Sequence, residues 1–272
     1  MLFRIRQLLH PIVRHPSLIR AAVDAELRHA LDEMRLATPD NPCLSGQRVF
    51  SQNDEDGIIQ EIFRRLGGGS TFIEIGCGDG LQNNTHFLLL KGWRGVWVDG
   101  NEKNVRTITS GLPANPARLR VVQRFINRDN IDDLAQDADL LSMDIDGNDL
   151  YVLQAFLKRC SPRVICAEYN PTFPPPMSIA IKYDEAHTWK GDMYYGASLQ
   201  ALVEGLGDYR LVGCNVTGTN AFFVRRDLAE PFTEYSVTAL YRPAKPHLFI
   251  TGTEQPPSFK FLAAALREHT PA

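Results

Sequence analysis

The stretch Thr71-Phe-Ile-Glu-Ile-Gly-Cys-Gly-Asp-Gly80 decides the fold of this chain. Its first half is apolar and rich in isoleucine, which predicts a short buried strand. Its second half carries glycine at positions 76, 78 and 80. Glycine lacks a Cβ atom and tolerates positive φ, so a ligand can lie directly on the backbone of such a turn. The segment therefore predicts a nucleotide-like ligand at the carboxyl end of the strand.

Two acidic residues in this stretch, Glu74 and Asp79, bear on the identity of the ligand. A dinucleotide site presents bare backbone amides and a helix N-terminus to a pyrophosphate. Two carboxylates would repel that group, whereas they would attract a ligand with an ammonium group and a sulfonium but no phosphate. S-adenosylmethionine fits this description. We predict it as the cofactor, with contacts from Glu74, Gly76, Gly78, Asp79 and Gly80.

Composition describes an ordinary globular protein and excludes several classes. The chain has 272 residues, of which 44% are hydrophobic and 22% charged, enough for one large α/β domain with an extension. A net charge of −3 gives no support to nucleic-acid binding. The 5 cysteines form no CxxC pair, which argues against a zinc site or a disulfide framework. We therefore expect a cytoplasmic protein that binds no nucleic acid.

The N-terminal region differs from the rest of the chain. Arginines stand at positions 4, 6, 14 and 20, and apolar residues from 17 to 36 recur with helical spacing before a Pro-containing break at 38–42. We predict a helical N-terminal extension over 1–45 and a catalytic domain over 46–272. Two roles are open: residues 1–22 contact an anionic membrane surface, or the helix packs on the domain or on a second subunit of a homo-oligomer.

Strand and helix patterns alternate from residue 71 onward, which predicts a parallel sheet with crossover helices. The short connection 215–219 predicts that the last two strands form an antiparallel hairpin. A dinucleotide-binding sheet ends instead on another parallel crossover. The predicted strands are 71–75, 95–99, 119–125, 140–144, 163–168, 209–214 and 220–225.

Polar residues stand where the predicted strands end, and ligands of open α/β sheets bind there. Asp99 lies about twenty residues beyond the glycines, where a carboxylate can accept hydrogen bonds from ribose hydroxyls. Asn127 either flanks an adenine or caps the following turn. Asp144 is predicted to contact the cofactor. Asp144, Glu168 and Asn170 together either hold Mg²⁺, whose preferred ligands are oxygen atoms, or supply a carboxylate that acts directly as the base.

The segment 170–195 is too long for a simple connection, and we expect it to cover the active site. His187 in this segment is a further candidate for the catalytic base, beside Asp144 and Glu168. Its alternative role is that of an ordinary surface histidine.

Four segments together resemble the FkbM-like branch of the class I S-adenosylmethionine-dependent methyltransferases. They are Ser51-Gln-Asn-Asp-Glu-Asp-Gly-Ile58, 72–80, Asp144-Ile-Asp-Gly-Asn-Asp149 and Glu168-Tyr-Asn170, and the likeness spans about residues 46–228. It implies a Rossmann-like methyltransferase fold, with a seven-stranded, mostly parallel sheet and a C-terminal antiparallel hairpin. It also implies O-methylation of a hydroxyl on a sugar, a glycan or a secondary metabolite. One departure is Ser142-Met143 before Asp144, where the resemblance would place a lysine-led pattern.

Two other functions compete with methyl transfer to a small-molecule or glycan acceptor. One is a nicotinamide-dependent oxidoreductase, against which Glu74 and the closing hairpin argue. The other is a catalytically silent binding protein that scaffolds a pathway at a membrane through residues 1–22.

Overall fold

The computed structural model describes residues 16–114, 116–249 and 255–267. Its strands form a seven-stranded sheet in the order β3-β2-β1-β4-β5-β7-β6. The strands are β1 (Thr71–Ile75), β2 (Arg94–Asp99), β3 (Leu119–Gln123), β4 (Leu140–Met143), β5 (Val164–Glu168), β6 (Tyr209–Cys214) and β7 (Asn220–Arg225).

The direction of the strands confirms the predicted fold class. The strands β1 to β5 run parallel, and β7 lies antiparallel between β5 and β6. The chain order reverses between β1 and β4, so the sheet has a switch point at the carboxyl ends of these two strands. This is the predicted Rossmann-like α/β fold, with a seven-stranded, mostly parallel sheet and a C-terminal antiparallel hairpin.

Helices cover both faces of the sheet because the side chains of each strand alternate between the faces. Phe72 and Trp97 belong to one hydrophobic cluster, whereas Ile73 and Val98 belong to the other. The helices are α1 (Pro16–Ala37), α2 (Glu55–Arg65), α3 (His86–Leu90), α4 (Glu102–Gly111), α5 (Asp149–Phe156), α6 (Leu199–Gly205), α7 (Val237–Leu240) and α8 (Lys260–Arg267).

The strand β3 is two residues shorter than the sequence predicts. β3 ends at Gln123 and not at Phe125. The Phe125 carbonyl accepts a hydrogen bond from Asn130 Nδ2 at 2.9 Å, so a side chain satisfies this backbone group where the ladder has ended. The residues that follow β3 therefore form a turn at the edge of the candidate site.

The helix α1 confirms the helical pattern predicted before residue 38, and it contacts the C-terminal part of the chain. Glu26 Oε2 lies 2.8 Å from His247 Nε2, and Glu26 Oε1 lies 3.3 Å from Lys245 Nζ. Most of the predicted membrane-contact segment, residues 1–15, lies outside the described residues. Within the described ranges, no helix is long and apolar enough to cross a membrane.

Candidate active site

A cavity of about 1750 Å³ opens at the carboxyl ends of the parallel strands. The strand ends contribute Gly76, Asp99, Asp144 and Glu168 to its wall. The switch point of the sheet thus carries the site, as expected for an open α/β fold. The cavity wall also includes residues from α1, from the segment 48–53, from the segment 187–195 and from the C-terminal ranges 244–249 and 255–257.

The three glycines after β1 have different roles. Gly76 and Gly78 line the cavity, and both have positive φ, 85° and 59°. A Cβ atom on Gly76 would lie 1.5 Å from the Asp144 carbonyl oxygen, so no side chain fits there. Gly80 (φ 74°) does not line the cavity; a Cβ on it would lie 2.9 Å from Trp97 and from Ile108. The predicted cofactor contact of Gly80 is therefore revised to a packing role.

Asp99 is held at the end of β2 by the backbone of its neighbours. Its Oδ2 accepts a hydrogen bond from Gly78 N at 2.9 Å. Its Oδ1 accepts from Asn101 N at 2.7 Å and from Asn104 Nδ2 at 3.1 Å. A carboxylate has about four acceptor positions, so one remains for a ligand hydroxyl. The carboxylate is thus oriented before any ligand binds.

Glu74 lies on the other side of β1 from the cavity and does not line it. The backbone N of Asn84 donates to its Oε1 at 2.8 Å, and the Thr85 hydroxyl donates to its Oε2. Trp97 Nε1 in turn donates to Thr85 Oγ1 at 2.7 Å. Burial raises the pKa of Glu74 to about 7, although these hydrogen bonds lower it. The prediction that Glu74 contacts the cofactor is revised: it holds the segment that follows the glycine turn.

Two other predicted contacts also lie off the cavity wall. Asp79 is exposed, and its Oδ1 accepts a hydrogen bond from Leu81 N at 3.1 Å. Asn127 Oδ1 accepts from Asp129 N at 2.9 Å, which is the turn-capping alternative for this residue. The apolar side chains of Phe125 and Ile126 line the cavity in its place. We therefore revise Asp79 and Asn127 to turn-stabilising roles.

Three carboxylates meet at the ends of β4 and β5. Asp144, Asp146 and Glu168 each offer an oxygen atom, and these atoms lie within 4.8 Å of one another. The turn that carries Asp146 is shaped by Asp149, which accepts hydrogen bonds from Ile145 N and Gly147 N at 2.9 Å. Asp146 has a φ of 54°, a left-handed conformation that aspartate adopts more readily than most residues. The turn thus brings a third carboxylate to the two predicted ones.

The environment of this cluster disfavours negative charge. Burial raises the pKa of Asp144 and of Glu168 well above the ordinary range, and the neighbouring carboxylates raise both further. Burial also raises the pKa of Asp146. The buried Oε2 of Glu168 has no hydrogen-bond partner among the described residues. Carboxyl groups in this state can take up a proton near neutral pH or bind a cation.

Asn170, predicted as the third metal ligand, is engaged by the loop that follows β5. Its Nδ2 donates to the Met193 and Tyr195 carbonyls at 3.0 Å each, and its Oδ1 accepts from Thr172 N at 3.0 Å. The geometry therefore favours Asp146 over Asn170 as the third ligand. Asp146 follows Asp144 at a spacing of two in the sequence, and this spacing is the signal that could have indicated a third carboxylate here.

His187 lies in the cavity wall next to the turn that carries the cluster. A Cβ atom on Gly147 would lie 2.4 Å from His187 Cδ2, so the imidazole packs directly on the glycine backbone. Asn148 Nδ2 donates to the Asp184 carbonyl at 2.7 Å and ties the loop 183–187 to the same turn. The buried His187 Nε2 has no hydrogen-bond partner among the described residues. The structure thus brings His187 beside Asp144 and Glu168 in one cavity.

The segment before α2 forms another wall of the cavity. Asp56 Oδ2 accepts hydrogen bonds from the backbone N atoms of Val49, Phe50 and Ser51 at 2.7–2.8 Å. This anchor places Phe50 and Asn53 in the cavity wall. Asp56 itself does not line the cavity. It positions the wall because it accepts hydrogen bonds from the backbone of the segment.

Sequence reasoning missed the contribution of the C-terminal ranges and of two aromatic residues. Phe249 and Pro257 line the cavity, and the Phe249 carbonyl accepts a hydrogen bond from Arg48 Nη1 at 2.5 Å. Trp189 and Tyr195 line it from the long loop after β5. The sequence gives no sign that residues 249 and 257 lie near the glycine turn. Only the tertiary structure shows that they line the same cavity.

Comparison with known proteins gives distant structural similarities. No family model matches the chain, and no curated protein matches it in sequence. The N-terminal domain of EvdMO1 with SAH bound has a TM-score of 0.43 and 12% identity, covering 72% of this chain and 94% of that domain. An S-adenosylmethionine-dependent methyltransferase from Clostridium acetobutylicum has a TM-score of 0.40 and 10% identity, covering 63% and 90%. The methyltransferase domain of bacterial CtHen1 has a TM-score of 0.39 and 16% identity, covering 62% and 96%.

Proposed function

We propose that this protein is an S-adenosylmethionine-dependent O-methyltransferase that acts on a hydroxyl of a sugar, a glycan or a secondary metabolite. One observation carries the proposal. Gly76, Gly78 and the preoriented Asp99 share a single cavity with the half-buried carboxylates Asp144 and Glu168. The first group suits a nucleoside without phosphates, and the second suits an acceptor that must lose a proton.

The reaction proposed for this cavity is a nucleophilic substitution. S-adenosylmethionine supplies an electrophilic methyl group on a sulfonium. The acceptor oxygen forms a bond to that carbon, the carbon–sulfur bond breaks with its electron pair going to sulfur, and the acceptor proton leaves. The products are a methyl ether and S-adenosylhomocysteine, and the protein contributes chiefly by holding the reacting atoms in line.

Asp144, Glu168 and His187 are the groups that can receive the proton. A carboxylate whose pKa is raised toward neutrality is a better base than an ordinary one, which supports Asp144 or Glu168. His187 presents an unpartnered Nε2 in the same region of the wall. Substituting each residue separately distinguishes them, because loss of the base removes the acidic limb of the rate profile, where activity rises as the base loses its proton.

Asp144, Asp146 and Glu168 also fit a divalent cation, because three hard oxygen donors converge and one of them lacks a partner. When bound, Mg²⁺ would lower the pKa of an acceptor hydroxyl. In this proposal the three carboxylates hold the ion and Asn170 shapes the loop. Calorimetric titration with Mg²⁺, Mn²⁺ and Ca²⁺ tests it; equal heats from wild type and Asp146→Asn would contradict it.

The first test of the function is calorimetric titration of the full chain with S-adenosylmethionine and with NAD⁺. We expect saturable binding of S-adenosylmethionine alone. Transfer of labelled methyl groups to acceptor panels then tests the chemistry. Failure of the folded protein to bind S-adenosylmethionine would overturn the proposal, and binding without turnover on any acceptor would favour the scaffold alternative.

A further inference from the structure

Three aromatic rings stack behind the glycine turn. The rings of Phe50 and His86 are 4.0 Å apart at an interplanar angle of 4°. The ring of Phe259 is stacked with His86 at 5.8 Å and 7°. His86 is fully buried, and Phe259 is 8% exposed. We call Phe50, His86 and Phe259 the aromatic stack.

Each ring of the aromatic stack belongs to a different segment of the chain. Phe50 lies in the segment before α2 and lines the cavity itself. His86 begins α3, and its Nδ1 lies 2.8 Å from the Gly80 carbonyl at the end of the glycine turn. Phe259 follows the cavity-lining range 255–257 in the C-terminal part of the chain. The stack therefore joins three segments that are far apart in sequence.

Phe259 also fits against two glycines. A Cβ atom on Gly111 would lie 2.3 Å from Phe259 Cδ2, and one on Gly80 would lie 3.3 Å from Phe259 Cζ. Any side chain at Gly111 would collide with this ring, and one at Gly80 would crowd it. The absence of side chains at both positions thus allows the C-terminal segment to pack on the glycine turn.

The hydrogen bond of His86 defines its protonation. Because a carbonyl oxygen can only accept, Nδ1 must carry the hydrogen and donate it to Gly80 O. Burial lowers the pKa of His86 to about 4, so the ring is neutral at physiological pH. A neutral ring between two aromatic faces carries no charge that would need a buried counter-ion.

We propose that His86 and Phe259 are positioning residues that hold the glycine turn and the C-terminal segment together, and thereby set how long the cofactor stays bound. This rests on the proposed binding of S-adenosylmethionine. Neither residue lines the cavity, so both act through the segments they join. Loss of either contact lets the wall move away from the turn, which speeds release of the ligand.

The test compares two phenylalanines of one segment. Phe259→Leu removes the stacked ring, whereas Phe261→Leu changes a side chain that is 76% exposed. Dissociation of S-adenosylhomocysteine, followed by stopped-flow displacement, should quicken about three- to tenfold in the first variant and stay unchanged in the second, as expected for loss of one aromatic contact. His86→Phe keeps the ring but removes the donor to Gly80 O, and it should also quicken dissociation.

The readout separates positioning from general stability. A destabilised variant that remains folded binds with native affinity, because only the unfolded fraction is lost to binding. Melting temperatures confirm that the variants are folded, and leucine retains the apolar bulk of the site. Equal dissociation rates for Phe259→Leu, Phe261→Leu and wild type would overturn the inference. No binding by the wild type would instead overturn the proposed function.

Discussion

The two ends of the cavity, named here after the ligands proposed for them, differ in how their polar groups are satisfied. The cofactor end lies around Asp99, and the acceptor end lies around Glu168 and His187. At the cofactor end, Asp99 accepts three hydrogen bonds, from Gly78 N, Asn101 N and Asn104 Nδ2. At the acceptor end, Glu168 Oε2 and His187 Nε2 are buried without hydrogen-bond partners among the described residues. The protein thus satisfies the Asp99 carboxylate largely by itself, and it leaves groups on Glu168 and His187 that a ligand or a cation can satisfy.

The contrast separates a preorganised part of the site, around Asp99, from a part whose buried polar atoms are available to a ligand, around Glu168 and His187. Unsatisfied buried polar groups cost stability, and they persist in proteins mainly where function requires them. Satisfied groups instead hold a shape. We therefore expect substitutions at the cofactor end to reduce stability or affinity, and neutralising substitutions at the acceptor end to spare both. The following predictions test this contrast.

The largest expected effect is the loss of Asp56, which anchors the wall of the cofactor end. Asp56→Ala leaves the backbone N atoms of Val49, Phe50 and Ser51 without their acceptor. We expect the free energy of unfolding to fall by about 3 kcal/mol, because one buried and two partly buried backbone donors lose a charged partner. Denaturant titration measures it, with the exposed Glu33→Ala as control. A loss no greater than that of the control would show that the anchor is dispensable.

The free energy of unfolding should also depend on pH through His86, with a change of similar size. Its pKa is about 4 in the folded state and near 6.5 when unfolded, so the unfolded state binds a proton first as pH falls. The stability due to this group is complete above about pH 6.5 and declines toward pH 4, by about 2 to 3 kcal/mol at pH 4.5. His86→Phe should lack this part of the decline. Unfolding curves at pH 7 and 4.5 that change equally in both proteins would contradict the assignment.

Cofactor affinity should distinguish Asp99 from Asp79, both of which the sequence predicts as cofactor contacts. Asp99→Ala removes a carboxylate that lines the cavity and orients Gly78. We expect it to weaken binding of S-adenosylmethionine about tenfold or more, as for the loss of a hydrogen bond to a charged group. Asp79→Ala changes an exposed carboxylate off the cavity wall and should bind like the wild type. If calorimetry finds both variants equally weak, the side chain of Asp79 contacts the cofactor after all.

The smallest effect, and one of opposite sign, is expected at the acceptor end. Glu168→Gln removes a largely buried negative charge next to Asp144 and Asp146. We expect a gain in unfolding free energy of about 1 kcal/mol at pH 8, with cofactor affinity unchanged within about twofold. Because burial and the neighbouring carboxylates raise the pKa of Glu168 in the folded state, the gain should grow as pH rises above the ordinary carboxyl range and shrink as pH falls toward it. The control Glu204→Gln removes a carboxylate that accepts from Ser178 and Gln200, and it should not stabilise.

Local patterns predicted most of the framework. Runs of alternating strands and helices indicated the parallel sheet, and the short connection at 215–219 indicated the hairpin. Both depend on interactions between residues close in sequence, or on the period of apolar residues along one element. The same logic placed Asp99, Asp144 and Glu168 at strand ends, since parallel strands end at one edge of the sheet.

The structure departs from the sequence-based interpretation in the direction of side chains. Glu74 was predicted to face the cofactor because it belongs to the glycine motif, yet it shares a face of the sheet with Phe72. Side chains two residues apart lie on the same face of a strand. Ile75 lies on the opposite face and lines the cavity. The alternation of side chains along β1 could have indicated the direction of Glu74. It could not have indicated that Glu74 accepts hydrogen bonds from Asn84 and Thr85.

The sequence by itself determined the order of the elements, the glycine turn and the acids at the strand ends, because these depend on local conformation and on the pleat of each strand. Only the tertiary structure decided that Asp146 joins Asp144 and Glu168. It also decided that Phe259 packs on Gly80 and Gly111. Such contacts join residues whose separation along the chain carries no periodic signal, so they exist only once the whole core has packed.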